Sequence, residues 1–139
     1  MEAAVAIPAP PRSPGLIIVV PDLVLRDRLA TFFIAHGYRV WAVPRGAEAD
    51  AICAHHAGEI DAVLADVRLP DASPLELLDW LAVYEPAPVC CFLADRLLSS
   101  PALAARLRGA GMLPRNAHLA VIADMVRDAA ARGDEFDDD

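Results

Sequence analysis

Short unbroken apolar runs alternate along the chain with longer segments whose apolar positions recur every three or four residues. Leu16–Val20 is apolar throughout and reads as a strand covered on both faces. Asp22–His36 follows, with Leu25, Leu29, Phe32 and Phe33 at helical spacing and Gly37 as its stop. Tyr38–Val43 predicts a second strand. Gly46–His56 predicts a second helix with Ala51, Ile52 and Cys53 inward, ended by Gly58. Ala62–Ala65 is a third apolar strand. Ser73-Pro74-Leu75-Glu76 is a helix start: serine caps, proline fills the first turn, and Glu76 bonds back to the cap amide. Leu77, Leu78 and Leu81 continue that helix. Val89–Leu93 predicts a fourth strand. Pro101–Arg108 predicts a helix stopped by Gly109 and Gly111. Met112-Leu113 makes a short fifth strand, and Leu119, Ile122, Met125 and Val126 form the inner stripe of a last helix.

Strands and helices therefore alternate from end to end. Wholly apolar strands between helices predict an α/β fold, a doubly wound parallel sheet with helices on both faces. Such sheets bind and react beyond the carboxyl ends of their strands. Outside this core, residues 1–15 hold Pro8, Pro10, Pro11 and Pro14 and predict a disordered, proline-rich lead-in. Residues 16–132 form the domain. Residues 133–139 (GDEFDDD) read as an acidic tail that like charges keep extended.

Composition narrows the function. The 139 residues suit one domain with one core. A net charge of −8 with scattered Lys and Arg disfavours direct binding to nucleic acid or to an anionic membrane surface. No signal peptide or spanning segment is expected, and the reading is a cytoplasmic protein. Cys53, Cys90 and Cys91 form no disulfide framework, and the last two read as buried fillers. His36, His55, His56 and His118 are dispersed near helix ends, which argues against zinc. Trp80 and Tyr84 lie four apart on one helix face, a candidate aromatic docking patch.

Two acids stand at strand ends. Asp22 lies just past the first strand, and Asp66 ends the third. In the strand order 2-1-3-4-5 these strands are neighbours about 4.8 Å apart. Two converging carboxylates repel unless one is protonated or a cation lies between them. Oxygen ligands alone suit a hard cation such as Mg²⁺. A carboxylate beside such an ion can also attack a phosphoryl group. Asp22 has a second reading, as the cap of the first helix. Asp66 has no such role, because Ser73 already caps the next helix.

With these residues in place, the chain resembles a bacterial response-regulator receiver domain. That flavodoxin-like module takes a phosphoryl group from a histidine kinase. The resemblance covers about residues 15–132 and is carried by LIIVVPDLVLRDRLATFFIAHGYRV, DAVLADVRLPDASPLELLDWL, PVCCFLAD and RGAGMLPRN. It implies a five-stranded sheet and Asp66 as phosphoacceptor. It also implies Mg²⁺ held by the Asp22 and Asp66 carboxylates and the Arg68 carbonyl. A histidine kinase or other signalling protein would be the partner, and the helix 4–strand 5–helix 5 face would serve docking or a homodimer. That face carries Arg106, Arg108, Arg115 and Arg127 against Asp124 and Asp128.

The departures from the family pattern are specific. The first of the usual acid pair is Pro21. The usual hydroxyl residue after strand four is Leu93, and Ala94 keeps the small neighbour. The usual lysine is Arg115, and Asn116 stands where a cis proline follows it. Pro74 and Met112 replace a glycine and the aromatic switch. The resemblance thus implies either a weakly switching phosphoacceptor, with Arg115 as counter-charge, or a pseudo-receiver that docks regardless of phosphorylation. A small metal-dependent phosphotransfer enzyme is a third reading. A flavin or dinucleotide enzyme is disfavoured, because VVPDLVL offers neither a phosphate-cradling loop nor GxGxxG.

Overall fold

A computed structural model describes residues 13–95, 101–107 and 110–137. Residues 1–12 of the expected lead-in, together with Arg108, Gly109 and the last two residues of the tail, lie outside that set. The elements are β1 (Gly15–Val19), α1 (Leu23–Ala35), β2 (Arg39–Val43), α2 (Gly46–His55) and β3 (Ala62–Asp66), then α3 (Pro74–Leu81), β4 (Val89–Ala94), α4 (Pro101–Arg106), β5 (Met112–Pro114) and α5 (Leu119–Asp137). The strands form one parallel sheet in the order β2-β1-β3-β4-β5. Helix α1 packs with α5, while α2 packs with α3 and α3 with α4, so helices cover both faces. The expected doubly wound topology is the observed one. Among the described residues no helix is long and apolar enough to cross a membrane.

The apolar runs become strands because they are buried on both faces. Residues Leu16 to Val20, Val63 to Ala65, and Cys91 to Leu93 are fully enclosed. Helix faces follow the same logic. Leu29 and Phe33 of α1, Leu77 and Leu81 of α3, and Ile122, Val126 and Ala129 of α5 enter the core. The capping box of α3 is present as read: Glu76 N–H donates to Ser73 Oγ at 3.1 Å, and Ser73 N–H to Glu76 Oε1 at 2.9 Å. Gly37 closes α1 with φ of 91°, a conformation that costs glycine little.

Several expectations are corrected. In α2 Cys53 is buried and Ile52 packs against the core as expected, but Ala51 is exposed and Ala49, four residues before Cys53 on the same face, points inward instead. Strands β3, β4 and β5 each run one residue past the expected apolar runs; Asp66 ends β3, as read from the sequence, and pairs with Leu93 in the ladder. Helix α5 continues to Asp137, through five of the residues expected to be an extended tail. Ala129, Ala130 and Ala131 lead into that stretch and favour propagation of the helix. Trp80 and Tyr84 are half-buried rather than a free patch. Trp80 lies against Gly46, and the Tyr84 hydroxyl donates to Asp50 Oδ1 at 2.7 Å, tying the turn after α3 to α2. That bond to a carboxylate, with burial, pushes the Tyr84 phenol up to about 12. All three cysteines are buried, and burial pushes the Cys53 thiol up to about 11 and Cys91 to about 12.

Two contacts in this frame have measurable consequences. A methyl group on Gly15 would lie 2.0 Å from the Glu59 carbonyl oxygen, and backbone cannot yield as a side chain can. Gly15→Ala is expected to destabilise the fold by about 1–3 kcal/mol, read from urea unfolding. Asp71 caps α2 from a distant loop, accepting from Gly46 N at 2.9 Å and Ala47 N at 2.9 Å. Burial pushes its carboxyl up, but the Ala47 and Gly46 amides outweigh it and hold the pKa below the usual value. A depressed folded pKa means stability that is present above the unfolded pKa and lost as pH falls through the folded one. Asp71→Ala should cost about 0.5–2 kcal/mol at neutral pH. The gap to wild type should close below about pH 4.

Candidate functional site at the carboxyl ends of the strands

The ladders of β3, β4 and β5 continue one step past their last residues. Val67 N–H donates to the Leu93 carbonyl at 2.9 Å, and Arg115 N–H to the Ala94 carbonyl at 2.7 Å. These two bonds set Asp66, Asp95 and Arg115 side by side along the sheet edge. Among the described residues Asp66 is the one buried polar side chain, 4% exposed. A carboxylate so enclosed needs partners for both oxygens.

Arg115 supplies them. Its Nε donates to Asp66 Oδ2 at 2.8 Å and its Nη2 to Asp66 Oδ1 at 2.5 Å, a bidentate fork. The Arg68 backbone N–H donates to Asp66 Oδ1 at 2.8 Å, an aspartate turn that bends the chain after β3. Asp95 completes a ring. Its Oδ1 takes Arg115 Nη1, and its Oδ2 takes Arg68 Nη2 at 2.5 Å. Two carboxylates are thus matched by two guanidinium groups. The Arg115 side chain is 23% exposed and that of Asp95 43%, so the ring runs from the core out to solvent.

Asp22 has a different task. Its Oδ2 accepts from Leu25 N–H at 3.1 Å, so it caps α1. Behind it, Arg26 Nη1 donates to the Val20 carbonyl at 2.8 Å and to the Pro21 carbonyl at 3.2 Å, satisfying the end of β1. Asp22, Val24, Leu25, Arg28, Asp95, Arg115 and Asn116 line an open crevice of about 390 Å³. Asp66 meets this crevice through Arg115. Leu93, the ladder partner of Asp66, is fully buried and offers no donor.

The structure therefore brings Asp66 and Arg115 into direct contact and sets Asp22 on the wall of the adjoining crevice. Asp95 was not singled out by sequence reasoning. The available signal was its place at the end of β4, beside Asp66. The two carboxylates that the resemblance implies for Mg²⁺ already have partners in this arrangement. Both Asp66 oxygens hold a guanidinium, and Asp22 holds a helix amide. Among the described residues no group of three or more His, Cys, Asp or Glu gathers as a metal site. On the face expected for docking, Arg106 pairs with Asp79 at 2.6 Å and Arg127 with Asp124 at 2.9 Å. His36 Nδ1 donates to the Phe32 carbonyl and His55 Nδ1 to the Ala51 carbonyl, each at 2.8 Å, as expected of residues at helix ends.

No protein-family model matches the chain, and no curated protein matches it. Solved structures do. The signal receiver domain of an HD domain-containing protein from Pseudomonas fluorescens Pf-5 is 17% identical with a TM-score of 0.78, over 96% of this chain and 98% of that one. The signal receiver domain of a putative Luxo repressor protein from Vibrio parahaemolyticus is 20% identical with a TM-score of 0.73, over 90% and 95%. The receiver domain of the hybrid histidine kinase CckA is 21% identical with a TM-score of 0.68, over 84% and 98%. At such identities the likeness establishes architecture, and the chain has the receiver-domain fold.

Proposed function

We propose that this chain is a receiver-like signalling domain that docks onto a histidine kinase or another signalling protein without needing a phosphoryl group. The observation that carries this reading is the Arg115 fork on Asp66. A nucleophile must present a free oxygen, and each Asp66 oxygen holds a guanidinium N–H in a charge-assisted pair. Leu93 adds to it. A phosphoryl group on Asp66 would meet a buried leucine where a hydroxyl would have to report its arrival.

The competing reading makes Asp66 a slow phosphoacceptor, with Asp22 and the Arg68 carbonyl as further Mg²⁺ ligands and Arg115 as counter-charge. What favours it is the position of Asp66 on the last rung of β3, at the edge where such sheets bind and react.

Acetyl phosphate with Mg²⁺, read by intact mass, separates the two. The docking reading expects no phosphoryl increment on the folded wild type at high donor concentration. An increment that Asp66→Asn abolishes would overturn it and establish a working acceptor.

A further inference from the structure

We infer that Arg115 is a built-in cation that keeps the strand-end carboxylates from taking a divalent metal. The inference deepens the docking reading and rests on it in taking Asp66 as the centre of the site.

Geometry is the first ground. Three guanidinium nitrogens of Arg115 are engaged, two on the separate oxygens of Asp66 and one on Asp95. Mg²⁺ takes near-octahedral oxygen ligands at about 2.1 Å and gives up water reluctantly. To reach Asp66 it would have to displace a bidentate pair from a carboxylate that is 4% exposed. Away from bulk water that pair is held more strongly than the same pair on a surface.

Charge is the second ground. Asp66 and Asp95 are balanced by Arg68 and Arg115 within the ring. Asp22 and Arg28 both line the adjoining crevice, one charge of each sign. A dication would therefore meet a neutral cluster rather than an acidic one. Shape is the third. A lysine at this position would be a point charge that satisfies one oxygen and leaves the other open, whereas the planar arginine fork covers both. Removing the Arg115 guanidinium leaves two carboxylates of the ring facing one cation. It also clears the space the fork fills above Asp66.

The test is calorimetric titration of MgCl₂ into the folded chain, with folding checked by circular dichroism. The wild type is expected to show no saturable Mg²⁺ binding. Arg115→Gln should bind Mg²⁺ at least about tenfold more tightly, a difference of about 1.4 kcal/mol. Asp66→Asn added to Arg115→Gln should abolish that gain. Saturable binding by the wild type that Asp66→Asn removes would overturn the inference, as would a folded Arg115→Gln protein with no gain. If Arg115→Gln does not fold, Arg115→Lys takes its place, since lysine keeps the charge and loses the fork. No gain there would sink the inference equally. Its failure is distinct from that of the docking reading. Wild-type Mg²⁺ binding without a phosphoryl increment defeats this inference alone. An increment on Asp66 without Mg²⁺ binding defeats the docking reading alone.

Discussion

A carboxylate on the last rung of a buried parallel strand has to be neutralised, and much of this molecule is arranged around that requirement. Asp66 sits between β1 and β4 with almost no solvent. Its counter-charge comes from the far edge of the sheet, from the residue that follows the three-residue strand β5. The pair therefore ties β3 to β5 across the end of β4. Asp95, just past the end of β4, fills the gap by holding both arginines. Breaking a buried pair on one side leaves an uncompensated charge and typically costs about 3–5 kcal/mol. The site and the closure of the sheet's short edge are thus a single electrostatic unit.

That unit also limits what the edge can do. A fork fixed by three nitrogens is a poor moving part, because motion breaks several charge-assisted bonds together. The neighbouring position is equally inert: Leu93 is a core side chain with nothing to donate. The crevice beside the ring is walled partly by Val24 and Leu25 of α1 and partly by charged side chains already matched in sign.

The architecture was legible in the sequence because it is written in burial. Leu16–Val20 and Ala62–Ala65 admit only a strand covered on both faces, and the Ser73–Glu76 box is a local signal complete within four residues. Asp66 and Arg115 were legible as strand-end residues of the right chemistry. What escaped was whatever depends on a distant partner. Asp71 reads as a loop acid until the fold brings it 25 residues back to the first turn of α2. Asp95, which sequence reading does not single out, gains its role only when the arginines that follow β3 and β5 flank it. The inner face of α2 was misread because Ala49 and Ala51 are chemically identical, so only the packed neighbours decide between them. The length of α5 was misread because the charge run was weighed as repulsion, without the alanines that precede it.

The loop after β3 ties these observations together. At its start, the Asp66 turn and the Arg68–Asp95 pair hold the backbone to the sheet edge. Further along, Asp71 is bound to the amides that open α2, and Ser73 and Glu76 lock the entry to α3. Trp80 of α3 lies against Gly46, at the same point of α2 that Asp71 caps. A segment pinned at its start, middle and end has little conformational entropy left to lose on binding. A domain that signalled by rearranging this loop would need at least one of those ties to be weak, because a two-state element requires two arrangements of comparable free energy. Here the Asp71 and Ser73–Glu76 ties each satisfy a helix terminus, whereas the Arg68–Asp95 pair is solvent-exposed and adds little, so the loop is held more firmly toward its α3 end than at its start.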